Sequence, residues 1–157
     1  MNATPLDADW QNFSAALALT LSSMPAKAYV VIKSSGGRYA RFFVATPELW
    51  CEIVHDDELG ADFQMSDRSR KELREQGWRP PVRGLSENWH LLLDWPVRYR
   101  VYENVAEQVV LALRQGLGVA GPTEFEIKSW IEDSDKEFPV SALIDASMGG
   151  ASPSASN

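Results

Sequence analysis

The sequence has few cysteine and histidine residues, which proteins use for catalysis and metal binding, and a deficit of positive charge, which proteins use to bind anionic partners. It contains one cysteine, Cys51, and two histidines, His55 and His90. A single cysteine excludes an intramolecular disulfide, so we expect a reducing compartment. The 15 Lys and Arg residues are outnumbered by 22 Asp and Glu, which gives a formal net charge of −7. Because nucleic acid and anionic lipid are bound through Lys and Arg, this deficit argues against both kinds of partner.

Long apolar runs are also missing. No stretch approaches the roughly 20 apolar residues that a membrane helix needs. The first basic residue is Lys27, and Asp7 and Asp9 interrupt the start, which does not match a secretory leader. We therefore predict a cytoplasmic protein without a membrane partner.

What is present suits one globular domain. The chain has 157 residues, of which 45% are hydrophobic, and a chain of this length buries roughly 70% of its unfolded surface. After Met148 the stretch 147–157 contains only Gly, Ala, Ser, Pro and Asn, so it cannot offset the entropy of ordering. We predict a single domain over residues 1–146 and a disordered tail over 147–157.

The first half of the chain predicts a helix followed by an antiparallel β-meander. Large apolar residues recur at spacings of three and four from Trp10 to Met24, which indicates an amphipathic helix. Three β-rich runs follow at 28–32, 38–44 and 49–54, and turns rich in Gly or Pro separate them. Strict alternation in the second run predicts two faces: Tyr39, Arg41 and Phe43 on one, and Ala40, Phe42 and Val44 on the other.

The second half adds helices and one more strand. Ser66 as N-cap and Gly77 as terminator bound a short charged helix, 88–96 forms a fourth strand, and 101–113 forms a helix. Residues 122–131 fit either a strand or a capped helix, and 138–144 form a last packed piece. The predicted fold class is α+β, an antiparallel meander sheet packed by helices on one face.

A search for metal ligands finds no convincing set. Cys51 and His55 are four residues apart, the spacing of two ligands on one helical face. In a strand, however, they lie about 13 Å apart, beyond the reach of one ion. Asp56, Asp57 or His90 would have to complete such a site. We predict no metal and no other cofactor.

Catalytic motifs are equally scarce. The stretch 84–88 is the nearest match to a nucleophile elbow, but it lacks the second glycine. A lone cysteine in a β-run is usually a core residue. The acidic loop 56–62 does not have the spacing of a calcium loop. The sequence therefore predicts a protein that is not an enzyme.

The remaining signal is a cluster of tryptophan and proline. Trp78, Trp89 and Trp95 fall close together in the sequence with Pro80, Pro81 and Pro96. Such residues either line an apolar groove that holds a peptide or form part of the core. The sequence leaves both interpretations open.

At this segment the chain resembles a known family. The string Gly77-Trp78-Arg79-Pro80-Pro81, then Asn88-Trp89 and Trp95-Pro96, is followed by the helix at 109–114 and by Gly118-Val119 and Pro122. This pattern is similar to that of the actinobacterial TY-Chap domain, named for its relation to type III secretion chaperones and YbjN proteins. The resemblance covers roughly residues 10–131.

The resemblance implies a non-enzymatic, chaperone-like module with an α/β sandwich of the secretion-chaperone and YbjN type. Its expected partner is a peptide or protein segment, and a homodimer is also expected, since related chaperones are small, acidic and often dimeric. The residues that match the family signature are the candidate peptide-binding set: Trp78, Arg79, Pro81, Asn88, Trp89 and Trp95.

Two other functions remain as alternatives. One is a structural homodimer or complex subunit that binds no peptide. The other is a small-ligand or thiol protein that uses Cys51 and His55, which requires an accessible thiol with a lowered pKa.

Overall fold

The computed structural model describes residues 7–55, 59, 64–136 and 138–148. These residues form four α-helices and five β-strands. In chain order they are α1 (Ala8–Ser23), β1 (Ala28–Lys33), β2 (Tyr39–Ala45), β3 (Glu48–Ile53), α2 (Asp67–Glu75), β4 (Trp89–Asp94), α3 (Tyr99–Leu111), β5 (Glu126–Ile131) and α4 (Ser141–Ser147).

The strands make one antiparallel sheet in the order β4-β3-β2-β1-β5. Strands β1 to β4 follow one another as a meander, and β5 returns to pair with the outer side of β1. The helices pack over one face of this sheet and enclose the core. The predicted α+β class is confirmed.

Alternation along the strands separates a buried face from an open one. In β2, Ala40, Phe42 and Val44 are buried, whereas Tyr39 and Arg41 are half-buried on the other face. The two faces are those predicted from the sequence. Each strand therefore contributes one set of side chains to the core and another set to a second, partly exposed surface.

Side-chain caps begin two of the helices, and Ser66 is the one that the sequence predicts. The Asp7 carboxylate accepts a hydrogen bond from the Trp10 N–H at 3.0 Å and begins α1. Ser66 caps α2 by accepting from the Ser69 N–H at 3.2 Å. Gly77 then takes a φ of 98°, in the left-handed region that favours glycine, and so ends the segment.

Three parts of the chain add to the sequence-based predictions. The ambiguous stretch is a short 3₁₀ turn, Pro122–Glu124, followed by strand β5. Helix α3 continues into a π-helical turn at Ala112–Gly116. Helix α4 includes Ser147, which is buried although we assigned it to the tail. Residues 149–157 lie outside the described residues, so the disordered tail stays a prediction.

The described residues contain neither a helix suited to a membrane nor a cluster of metal ligands. No described helix combines the length and the apolar character needed to span a bilayer. Within the same residues, no three His, Cys, Asp or Glu side chains come together as a set of metal ligands. The carboxylates at 56–58 and 62 lie outside the described residues.

Candidate functional site

The surface of the sheet opposite the helices carries a row of aromatic side chains. Trp130 of β5 lies beside Tyr29 of β1, Tyr29 beside Phe43 of β2, and Phe43 beside Trp50 of β3. We call these four residues the aromatic row. Leu92 of β4 pairs with Trp50 and continues the row to the last strand. The aromatic row and Leu92 together cross all five strands.

The rings of the aromatic row are stacked on one another. Their centroids are 4.9 Å apart for Trp130 and Tyr29, 5.2 Å for Tyr29 and Phe43, and 5.6 Å for Phe43 and Trp50. The interplanar angles are 5°, 15° and 8°. The Tyr29 hydroxyl donates to the Glu132 carboxylate at 2.9 Å, which fixes that ring. The row is therefore ordered before any ligand arrives.

The aromatic row is accessible along its length. Trp130 is 40% exposed and Leu92 is 37% exposed, while Tyr29, Phe43 and Trp50 are half-buried. Five strands about 4.8 Å apart give a strip roughly 19 Å long. An exposed apolar strip of this kind commonly marks an interaction surface.

Acidic side chains border one side of the aromatic row. Glu48 and Asp94 lie directly opposite each other on β3 and β4, next to Trp50 and Leu92. Like charges in this arrangement repel each other. A basic group placed between them would relieve the repulsion, so this border favours a positively charged ligand.

A polar cluster lies on the other side of the row, under the segment 79–88. The buried Glu52 carboxylate accepts from the Arg41 Nε at 2.8 Å and from the Ser86 hydroxyl at 2.9 Å. The Arg41 Nη2 donates to the same carboxylate. The Tyr39 hydroxyl donates to the Asn88 side-chain oxygen at 3.1 Å. These residues form part of the wall of a cavity of about 690 Å³.

A protein-family model matches most of the chain. The matching family model is TY-Chap3, described as "T3SS (YopN, CesT) and YbjN peptide-binding chaperone 3", and it covers residues 3–131. The chain belongs to the TY-Chap3 family. The predicted TY-Chap relationship is confirmed, and the actinobacterial origin stays a prediction. Searches of curated proteins and of solved structures found no match.

The three tryptophans of the predicted peptide-binding set lie mainly inside the domain. Trp78 is 2% exposed and Trp89 is 1% exposed, and both belong to the core. The Trp78 Nε1–H donates to the Gln108 Oε1 at 2.9 Å, which ties the segment after α2 to α3. Trp95 is half-buried and packs against the same core. Rings as deeply buried as Trp78 and Trp89 touch no ligand in this conformation.

The other three signature residues lie in or beside the segment that covers the polar cluster. Arg79 pairs with His90 through two backbone hydrogen bonds, of 2.9 and 3.0 Å. Pro81 and Asn88 line the 690 Å³ cavity. The structure thus places the three tryptophans in or against the core, Pro81 and Asn88 at the cavity, and Arg79 in the backbone pairing with β4, and the peptide-binding role of all six stays a prediction.

The sequence reasoning missed the aromatic row, although part of its signal was available. Alternation along β2 already placed Phe43 on the face opposite the core. Recognising the row also requires the pairing of β1 with β5, which joins Tyr29 to Trp130. That pairing connects distant parts of the chain, and no local pattern predicts it.

The thiol alternative finds no support in the position of Cys51. Its side chain is fully buried on the core face of β3. Burial raises the pKa of the Cys51 thiol well above its usual range, and the neighbouring Glu52 carboxylate raises it further. A reactive thiol needs the opposite, a lowered pKa and access to solvent. His55 lies near the Trp89 ring, with the centroids 6.1 Å apart.

Proposed function

We propose that this chain is a chaperone-like module that binds an extended segment of a partner protein across the open face of the sheet. The observation that carries the proposal is the aromatic row, with its stacked rings and partly exposed ends. The peptide-binding description of the TY-Chap3 family supports the same role. No catalytic step is part of the proposal.

The physical basis is burial of apolar surface on a rigid support. Aromatic side chains supply large contact areas and keep little rotational freedom to lose when they are already stacked. A strip of about 19 Å accommodates roughly six residues of extended chain. The partner segment would cover the rings with its own apolar side chains, and the acidic border would favour Lys or Arg beside them.

Among the residues predicted from the sequence, we propose two different roles. In this proposal the half-buried Pro81, which lines the cavity beside the open face, contacts the partner segment, whereas the buried Asn88 holds the Tyr39 and Glu52 side chains in the wall of the same cavity. Trp78 and Trp89 support the sheet from the core side and so hold the open face in shape. The family signature then marks the support of the site more than its contact surface.

The test is an array of synthetic peptides followed by calorimetric titration of those that bind. Phe43→Ala removes the ring in the middle of the aromatic row, and we expect it to weaken binding about tenfold or more. Tyr99→Ala is the matched control, because Tyr99 is 45% exposed on α3, on the helix side of the sheet. Circular dichroism checks that both variants fold.

Two results would contradict the proposal. One is an array without a saturable ligand for the wild-type protein. The other is equal loss of affinity in Phe43→Ala and Tyr99→Ala. Light scattering on the same samples tests the alternative of a structural homodimer, which predicts a dimer that Phe43→Ala dissociates in the absence of any peptide.

A further inference from the structure

His90 of β4 is a buried histidine whose protonation can be assigned from its surroundings. It is 1% exposed, and its Nδ1 lies 3.1 Å from the Asn88 carbonyl oxygen. Because a carbonyl oxygen only accepts hydrogen bonds, Nδ1 carries a proton and is the donor. A second proton on Nε2 would leave a buried charge with an unpaired N–H, which costs far more than a neutral ring. The Nε2 atom of His90 is therefore an acceptor, and within the described structure it has no partner.

The unused acceptor of His90 faces the end of the aromatic row. The two nitrogens of an imidazole point away from each other across the ring, and Nδ1 faces Asn88, which precedes His90 along the chain. Nε2 therefore faces the other way, toward Leu92 and the Trp50 ring. The ring centroids of Trp50 and His90 are 6.3 Å apart. Buried polar atoms of native proteins nearly always have a partner, so an open acceptor at this place is a sign that a donor binds there.

A cavity of about 410 Å³ adjoins His90 at the β4 end of the aromatic row. Its wall includes Arg79, Leu85, His90, Leu91 and Leu92. Leu92 is the residue that continues the aromatic row to β4, so the cavity lies beside the proposed binding surface. A mostly apolar cavity with a few polar groups is the usual form of a ligand site. The cavity and the unpaired acceptor are independent observations, and both indicate a ligand that carries a hydrogen-bond donor.

A tight turn over residues 82–86 brings Leu85 to this cavity. Val82 and Ser86 exchange two backbone hydrogen bonds of 3.0 Å, and Gly84 takes a φ of 81°, which favours glycine. The Leu85 side chain is 54% exposed at the tip of this turn. The Nε2 atom of the histidine is itself covered in this conformation. Because Leu85 is the most exposed of the leucines in the wall, its side chain can turn aside and admit a ligand without disturbing the core.

The charge and size of the cavity restrict the donor that fits it. Arg79 is the charged member of the wall as far as the chain is described, so a lysine or arginine side chain would be repelled. Glu52, which lies opposite His90 on β3, does not offset this charge, because its carboxylate is already paired with Arg41. A carboxylate ligand has no proton to donate to Nε2. A serine or threonine hydroxyl would leave most of the cavity empty, whereas a phenol fills it with a ring and carries its O–H at the end.

We propose that this cavity holds a tyrosine side chain of the partner segment. The phenol O–H donates to the Nε2 of His90, and the ring packs between Leu85 and Leu92. This inference rests on the proposed function and specifies the residue that the β4 end of the aromatic row selects. Phenylalanine has the same ring but leaves the buried acceptor unpaired, so the site distinguishes the two residues by one hydroxyl.

The first test observes the acceptor directly in the wild-type protein. The chain has two histidines, so long-range proton–nitrogen NMR spectra of the rings contain two sets of signals, and His55 is an internal reference. The probe is N-acetyl-tyrosinamide, and N-acetyl-phenylalaninamide is its matched control. We expect the tyrosine probe to shift the Nε2 signal of His90 toward the value of a hydrogen-bonded acceptor, and the phenylalanine probe to leave it in place. The signals of His55 should not move with either probe.

The second test compares the affinities of the two probes for variants of the protein. We expect the wild type to bind the tyrosine probe about tenfold more tightly than the phenylalanine probe, because only the former pairs the acceptor. His90→Phe removes the acceptor, while the Asn88 carbonyl keeps the Ser86 hydroxyl as a donor at 3.3 Å. This variant should lose the preference. His55→Phe is the matched control, since it makes the same change beside the core ring of Trp89 and should keep the preference.

The outcomes keep this inference apart from the proposed function. If Phe43→Ala weakens peptide binding but the His90 Nε2 signal stays in place up to the solubility limit of the tyrosine probe, the inference is overturned and the open-face function stands. A shift with the probe but no peptide ligand in the array gives the reverse result. Equal shifts with both probes, or a larger shift with N-acetyl-lysinamide, would also overturn the inference. The NMR test uses the wild type, so it is decisive even if His90→Phe fails to fold.

Discussion

At the scale of single residues, the two buried signature tryptophans differ in one hydrogen bond. The Trp78 Nε1–H donates to Gln108, whereas the buried Trp89 Nε1–H has no partner within the described structure. An unpaired buried donor costs free energy that a phenyl ring would not. The two positions are therefore a natural comparison between packing and hydrogen bonding.

We predict that Trp78→Phe destabilises the fold more than Trp89→Phe. Both changes shrink a fully buried ring, and only the first removes a hydrogen bond, so the difference should be about 1 kcal/mol in the free energy of unfolding. Urea denaturation followed by far-ultraviolet circular dichroism measures it. A larger loss for Trp89→Phe would show that the packing around Trp89 outweighs the missing hydrogen bond.

At the scale of elements, a buried arginine joins the turn between β1 and β2 to the 3₁₀ turn before β5. The Arg38 guanidinium donates to the Glu124 carboxylate and to the Leu117 carbonyl, both at 3.2 Å. Burial alone raises the pKa of Glu124. The Ala120 N–H, the Arg38 charge, the Ser34 hydroxyl and the Gly121 N–H together outweigh burial and lower it.

This contact predicts a loss of stability in acid. Because the pKa of Glu124 is lower in the folded state, its contribution is complete above the unfolded value of about 4.5 and disappears as the pH falls through the folded value. We expect Glu124→Gln to flatten this part of the stability curve. The check is to measure the melting temperatures of the wild type and of Glu124→Gln from about pH 6 down to about pH 3. Parallel curves would assign the acid sensitivity to other carboxylates.

How well the sequence predicted each element depends on how local its signal is. Helix α1 was predicted because Phe13 and Leu17 are four residues apart, as on one face of a helix. Strand β2 was predicted because Ala40 and Phe42 are two residues apart, as on one face of a strand. Strand β5 remained ambiguous because Pro122 begins a 3₁₀ turn that resembles a helix start. The tryptophan cluster marked the right region, but sequence spacing could not separate core rings from surface rings.

At the scale of the whole molecule, one core supports both the helices and the sheet. Cys51 lies on the core face of β3, a strand with neighbours on both sides. Its thiol therefore reports on opening of the entire domain more than on local motion.

We predict that Cys51 resists a disulfide-exchange reagent in the native protein and reacts fully in denaturant. Burial excludes the reagent and raises the pKa of the thiol, so the reactive thiolate is scarce in the native state. The labelling rate should rise with urea concentration with the same dependence as global unfolding. Fast labelling in buffer alone would show that Cys51 is accessible in the native protein and would support the thiol alternative.

The division of the tryptophans between two environments has an optical consequence. Trp10, Trp78 and Trp89 are enclosed in the core, whereas Trp50 and Trp130 belong to the open face. Their emission therefore separates into a blue component from the interior and a red component from the sheet surface. Selective quenching of the red component by iodide would measure coverage of the open face in the unlabelled protein, while the blue component reports that the fold is intact.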